Sequence, residues 1–254
     1  MIYFKQNNYP ETLSRYEEAL KIAEQLGDLS GKAACINNIA SILYAQGNFP
    51  EALKRFEQAL QIAEQLGDLK GKSSCLNNIG MIYRTQRNDS EALKRYEQAL
   101  QIFEQLGDLS SKATVLNNIG EIYRAEGNYP EALKQYEEAL QIAEQLGNWR
   151  GKSAVLNNIG ENYRVQGNYQ EALKQYEQAL QIDEQLGDLS GKAIRLNNIG
   201  IIHYANGKYL KALKNLEEGL EILTELGLSE SPNAKNIKKD IEILRSKNPS
   251  ILWK

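Results

Sequence analysis

The chain has 254 residues, a formal net charge of −3 and 42% hydrophobic residues. No stretch approaches the roughly 20 consecutive apolar residues of a membrane-spanning helix, and Met1 to Pro10 lack the basic, apolar and small-residue regions of a secretory signal. Charges of both signs are interspersed, without the basic excess of a nucleic-acid binder, so neither nucleic acid nor a membrane is expected as partner and the expected address is the cytoplasm.

A period of 40 residues organises the sequence, as the in-phase glycines Gly27, Gly67, Gly107, Gly147, Gly187 and Gly227 show. Asn37-Asn38, Asn77-Asn78, Asn117-Asn118, Asn157-Asn158 and Asn197-Asn198 keep the same phase, and no insertion interrupts it from Tyr9 to Gly227. Met1 to Asn8 match only the tail of a first helix, with Ile2 and Tyr3 standing where Ile122 and Tyr123 stand later. Residues 1–28 therefore read as a partial first unit, mainly its second helix, Tyr9 to Leu26. One face of that helix is uncovered, as in a fragment of a longer array or a chain whose face another segment covers.

Five complete units are expected over 29–228, each with two helices. In Lys112 to Glu126, Val115, Leu116, Ile119, Ile122 and Tyr123 recur at helical spacing. Gly127-Asn128 suits a tight turn with left-handed backbone. Pro130 then falls near the start of a second helix, where its missing N–H costs little, and Glu131 suits the positive end of the helix dipole. Ala132, Leu133, Tyr136, Ala139, Leu140, Ala143 and Leu146 share one face of that helix, and Gly147 stops it. The connection Gly107 to Ser110 offers Asp or Ser as the next N-cap. Small residues at Gly120, Ala132 and Ala139 let two helices approach, with Tyr123 and Tyr136 filling the wider parts. Cys35 and Cys75 occupy one repeated position, which points to packing, and two cysteines make no disulfide framework.

After Gly227 the pattern changes. Ser231-Pro232 opens a helix over about Asn233 to Ser246, with Ile237, Ile241 and Leu244 on its inner face and Lys235, Lys238, Lys239, Asp240, Glu242 and Arg245 outside. Residues 229–247 thus read as a capping helix, which a stacked array needs for solubility. The tail 248–254 carries Ile251-Leu252-Trp253, to be packed on the cap or offered to another chain.

The run Leu116-Asn117-Asn118-Ile119-Gly120, Tyr123, Gly127-Asn128-Tyr129, Ala132, Tyr136, Ala139 resembles the tetratricopeptide (TPR) signature, with Leu where the family often has a first-helix Trp. The family's usual proline after the second helix is absent, and a six-residue extension runs on to Gln-Leu-Gly-Asp. Lengthened repeats of this kind resemble those of kinesin light chain and Pins/LGN-type adaptors. The resemblance implies an all-α fold, a right-handed α-solenoid of stacked helix–turn–helix hairpins, and a protein-binding scaffold rather than an enzyme. No cofactor or metal is expected. His203, the single histidine, sits just before Tyr204 with no partner groups converging on it, and the Glu-Gln-Leu-Gly runs read as solvated outer faces rather than paired catalytic carboxylates.

In such stacks the first helices line the concave surface. Leu116, Ile119 and Tyr123 claim the packed face, which leaves Asn117, Asn118, Glu121 and Arg124 for the groove. The equivalents are Asn77, Asn78, Met81 and Arg84, then Asn157, Asn158, Glu161 and Arg164; the outer units offer Asn37, Asn38, Ser41 and Ala45, and Asn197, Asn198, Ile201 and Ala205. An amide can pair with both the N–H and the C=O of an extended peptide. Arg84, Arg124 and Arg164 add a basic stripe able to pair carboxylates bidentately, tempered by Glu121 and Glu161. In the resembling adaptors the position of Asn118 contacts peptide backbone, which carries over to Asn38, Asn78, Asn118, Asn158 and Asn198. The asparagine pairs could equally bridge adjacent helices and hold the stack. The expected function is to bind an extended, acidic partner peptide, with end-to-end assembly through the N-terminal face, or service as the sensor arm of a larger signalling protein, as alternatives.

Overall fold

The computed structural model describes residues 9–247, so the expectations placed on Met1 to Asn8 and on the tail from Asn248 lie outside it. Among the described residues there are twelve helices and no strand: α1 (Tyr9–Leu26), α2 (Leu29–Ala45), α3 (Phe49–Leu66), α4 (Leu69–Thr85), α5 (Asp89–Leu106), α6 (Leu109–Ala125), α7 (Tyr129–Gln145), α8 (Trp149–Val165), α9 (Tyr169–Leu186), α10 (Leu189–Ala205), α11 (Tyr209–Glu225) and α12 (Pro232–Lys247). Contacts divide the chain into two compact units, residues 1–122 and 123–254, the division falling within α6. The fold is an all-α helical-repeat solenoid.

The first helices begin earlier than the apolar pattern suggests, because an aspartate or asparagine caps each one. In α2, α4 and α10 the carboxylates of Asp28, Asp68 and Asp188 each accept from the backbone N–H three residues on, at 2.9 Å. Asn148 does the same for α8 at 3.0 Å. Asp108 caps α6 through the Ser111 N–H at 3.0 Å and also accepts from the Ser111 hydroxyl at 2.8 Å, so α6 starts at Leu109 rather than Lys112. These bonds satisfy N–H groups that the helix itself leaves without partners. At the other end, Gly67, Gly107 and Gly187 close α3, α5 and α9 in the left-handed conformation. The cap of α12 is Ser231, whose hydroxyl accepts from the Ala234 N–H at 3.2 Å.

In residues 1–122, α1 to α5 pack in succession and α2 also touches α4. The core there is Ala40, Ala52, Phe56, Ile79 and Ile82, joined by a second cluster of Ile36, Ala59 and Cys75. A Cβ on Gly80 would lie 2.7 Å from the ring of Tyr96, so only glycine lets α4 and α5 close around that buried ring. In residues 123–254, α7 to α12 pack in succession, with α10 also touching α12. Ile237, Ile241 and Leu244 of α12 cover Leu216, Ile222 and Leu223 of α11, removing from water the apolar face that a last hairpin would otherwise present.

Candidate functional site

On each first helix the residues in the phases of Leu116 and Ile119 are buried, while Tyr123, its equivalents and both members of every asparagine pair are half-buried. Within each of the two units, amides of successive first helices are connected. Asn78 Nδ2 donates to Asn37 Oδ1 at 3.4 Å and Asn118 Nδ2 to Asn77 Oδ1 at 3.5 Å, so the second asparagine of one first helix reaches the first asparagine of the helix before it. In residues 123–254 the same bond, Asn198 to Asn157, measures 2.8 Å. Within a helix, Asn77 and Asn157 donate to Asn78 and Asn158, both at 3.5 Å. Asn117 instead donates to Glu121 at 3.1 Å, and Asn38 lies half-buried on α2. The amides therefore bridge successive first helices, as one of the two sequence readings requires. A bridge uses one N–H of the second asparagine and one lone pair of the first, while each amide offers two N–H groups and two lone pairs.

The arginines are matched by glutamates. Arg84 pairs with Glu121 across successive first helices. Glu161 gathers three partners: Arg164 donates to both its oxygens at 2.7 and 2.6 Å, Tyr176 donates its hydroxyl at 3.0 Å, and Arg124 stands 3.8 Å away. Burial alone would push the Glu161 carboxyl up, but the Arg164 hydrogen bonds and charge outweigh it, with help from Tyr176 and Arg124, and hold it below its ordinary value. The three arginines are thus held in part-buried ion pairs, less positive than three free guanidinium groups.

Two recesses open on the first-helix face of residues 1–122. One, about 260 Å3, lies between α2, α3 and α4 and is lined by Ala34, Asn37, Ala59, Ala63, Ser74 and Cys75 among others. The next, about 270 Å3, is lined by Ser74, Asn77, Asn78, Phe103, Ser111 and Thr114. Ladder amides therefore sit at the rims of both.

Other features went unread in the sequence. Ser153, Asp183 and Arg195 form a buried polar group in residues 123–254. The Ser153 hydroxyl donates to Asp183 at 2.6 Å, and Arg195 Nε lies 3.2 Å from the other Asp183 oxygen. Asn162, buried where Ile42, Ile82, Ile122 and Ile202 stand in other units, donates to the Tyr129 carbonyl at 3.1 Å. The available signal was departure from the repeat: Asp183 and Arg195 occupy the phases of Ala63 and Cys75. His203 is partly buried on α10, and burial together with Lys208 and Lys211 lowers its pKa. Among the described residues no group of His, Cys, Asp and Glu is placed to hold a metal ion, and no helix is long and apolar enough to cross a membrane.

Helical hairpins in phase, caps at fixed positions and a ladder of amides along the first helices define a helical-repeat protein. The chain belongs to the tetratricopeptide repeat family, whose sequence model matches residues 1–65, 32–105, 111–185 and 151–225. Proteins of this fold are in general binding scaffolds rather than enzymes. No curated protein matches the chain. Several solved structures share the fold. A signal transduction ATPase with numerous domains (STAND) protein with a tetratricopeptide repeat sensor, from Pyrococcus horikoshii, is 20% identical with a TM-score of 0.79. That match covers 97% of this chain and 37% of the ATPase. A putative kinesin light chain with nearly identical TPR-like repeats, from Podosopora anserina, is 19% identical with a TM-score of 0.63, covering 76% of this chain and 94% of the other. A Rap protein complexed with Competence and Sporulation Factor is 19% identical with a TM-score of 0.69, covering 99% and 74%.

Proposed function

We propose that this chain is a protein-interaction scaffold whose first helices hold an extended, acidic segment of a partner, and that it works by binding rather than by catalysis. The observation that carries the reading is the half-buried amide ladder at the rims of two recesses. The ladder is pre-organised by its own bridges, so a peptide laid across it meets amides whose ordering cost is already met. In this reading Asn38, Asn78, Asn118, Asn158 and Asn198 contact peptide backbone, assisted by Asn77, Asn117 and Asn157. Arg84, Arg124 and Arg164 receive partner carboxylates, with Glu121 and Glu161 setting their orientation. Residues 29–228 supply five binding units and 229–247 close the array. The Rap structure, bound to a factor, supports ligand binding on this fold. A second reading, the sensor arm of a larger signalling protein, is favoured by the repeat sensor of the STAND ATPase.

The test is affinity selection from a displayed library of acidic and neutral extended peptides, comparing the intact chain with Asn118→Ala/Arg124→Ala. The double variant should lose selected binders at least tenfold while melting within a few degrees of the parent. A collapse in melting temperature would make the ladder structural and sink the reading.

A further inference from the structure

Second helices are fitted onto the helices before them by one isoleucine. In residues 123–254, Ile182 of α9 is buried with Leu156 of α8, and Leu140 of α7 packs against the same cluster. In residues 1–122, Ile102 of α5 lines a recess with Leu60 of α3 and Leu76 of α4, and Arg95, Gln98 and Gln101 border it. Ile62 is half-buried. Ile102, Ile142, Ile182 and Ile222 are each 9% exposed or less, whereas Ile22, at the same phase of α1, is 51% exposed. Among the described residues α1 packs mainly on α2, which follows it, so Ile22 lacks its pair of leucines.

The opposite end lacks an isoleucine. Helix α12 packs on α11 and touches α10, as α4 packs on α3 and touches α2, so it stands in the place of a first helix. No second helix follows it among the described residues. The groove between α11 and α12 is about 550 Å3, against about 280 Å3 where α3, α4 and α5 meet. Leu220, in the phase of Leu140, and Ile241 give it an apolar lining beside Thr224. Its two cations are engaged: Arg245 pairs with Glu217 at 2.6 Å, and Lys238 reaches the Ser229 carbonyl at 3.0 Å and Glu230 at 3.6 Å. Glu221, Glu225 and Glu242 also line the groove and make no ion pair among the described residues.

The two ends depart from the repeat with opposite charge. Gln61, Gln101, Gln141 and Gln181 share one phase, which is Lys21 in α1 and Glu221 in α11. Gln25, Gln65, Gln105, Gln145 and Gln185 share another, which is Glu225 in α11. Lys21 is exposed beside Ile22 and makes no ion pair among the described residues. Two other charges lie on that edge of α1, at the phases of Arg95 and Gln98. Arg15 is held by Glu11 at 2.7 Å, and the phase of Glu18 carries glutamate inside the array as well, at Glu138. We propose that α1 of one copy of this chain seats in the groove between α11 and α12 of another, as the second helix that α12 lacks. Ile22 then covers Leu220 and Ile241, and Lys21 faces Glu221 and Glu225. Such a contact is head to tail, so every copy carries both halves, and the assembly closes into a ring or extends according to its rotation. It involves none of the amides or arginines of the peptide reading and stands apart from that reading.

The test is sedimentation equilibrium of the full chain across the micromolar to millimolar range, where the weight-average mass should rise with concentration. Ile22→Ser, Lys21→Glu and Glu221→Lys/Glu225→Lys should each weaken association by about tenfold or more. All four positions are exposed, so the melting temperature should stay that of the parent. An equimolar mixture of Lys21→Glu with Glu221→Lys/Glu225→Lys should associate again, because the altered end of each fits the altered end of the other and the unaltered ends fit as before. A parent that stays monomeric throughout overturns the proposal, which is the result if the groove holds this chain's own tail or serves a different protein. Variants that associate like the parent, or a mixture that stays monomeric, overturn it too.

Discussion

Asp183 and Arg195 stand where other units carry Ala23, Ala63, Ala143 or Phe103, and Cys35, Cys75, Val115 or Val155. Both are buried, and burial lowers the Arg195 pKa even against the pull of Asp183. Desolvating two charges costs about what their attraction returns, so such a pair is weak as a source of net stability. It is nevertheless expensive to break, because the surviving charge stays buried. Asp183→Ala should destabilise residues 123–254 by about 3–5 kcal/mol. Asp183→Ala/Arg195→Val, which restores residues found in phase at 143 and 155, should lie within about 1 kcal/mol of the parent or above it. A double-mutant cycle by urea unfolding measures this, and additive single effects would count against the coupling.

At the scale of the element, the hairpin turns share one backbone requirement. Gly47, Gly127, Gly167 and Gly207 all take positive φ between first and second helix, and Arg87 occupies the equivalent place between α4 and α5 at φ 59°. A side chain in this conformation crowds the following carbonyl, at a cost of about 1–2 kcal/mol, which glycine does not bear. Glycine recovers less than that, because it is also freer in the unfolded chain. Arg87→Gly should therefore stabilise the fold by about 0.5–1 kcal/mol, visible as a higher denaturant midpoint with unchanged slope. A lower midpoint would mean that the Arg87 side chain makes a contribution exceeding its backbone strain.

Over the whole molecule, helices contact mainly their neighbours in the chain. Stability in such an array approximates a sum over units and their interfaces, so damage stays near its origin. Deleting residues from 229 onward would uncover Leu216, Ile222 and Leu223. Amide hydrogen exchange should then accelerate in α10 and α11 by tenfold or more, while α2 to α4 keep their protection. Uniform acceleration along the chain would show that it unfolds as one cooperative block instead.

The helices themselves were legible in the sequence because hydrophobic period, turn glycines and the 40-residue phase are local or strictly repeated signals. Repetition multiplies each weak cue, so the packing roles of Leu116, Gly120 and Tyr136 are legible in the sequence. The candidate groove side chains were legible for the same reason, being what remains once the packed face is allotted. Their interactions were not. The sequence left open whether an asparagine pair faces a peptide or the next helix, and the distances show bridges such as Asn78 to Asn37 that depend on how closely successive first helices approach. Glu161 read as a tempering charge, yet its enclosure by Arg164, Tyr176 and Arg124 joins residues of three helices. The Asp183–Arg195 pair was visible only as an irregularity in phase. A departure from a repeat marks where to look, but whether it makes a buried charge, a cavity or a surface change is decided by which side chains from neighbouring helices close over it. Sequence periodicity thus determined the elements and their order, and packing between helices decided the bonds, the ion pairs and the pockets.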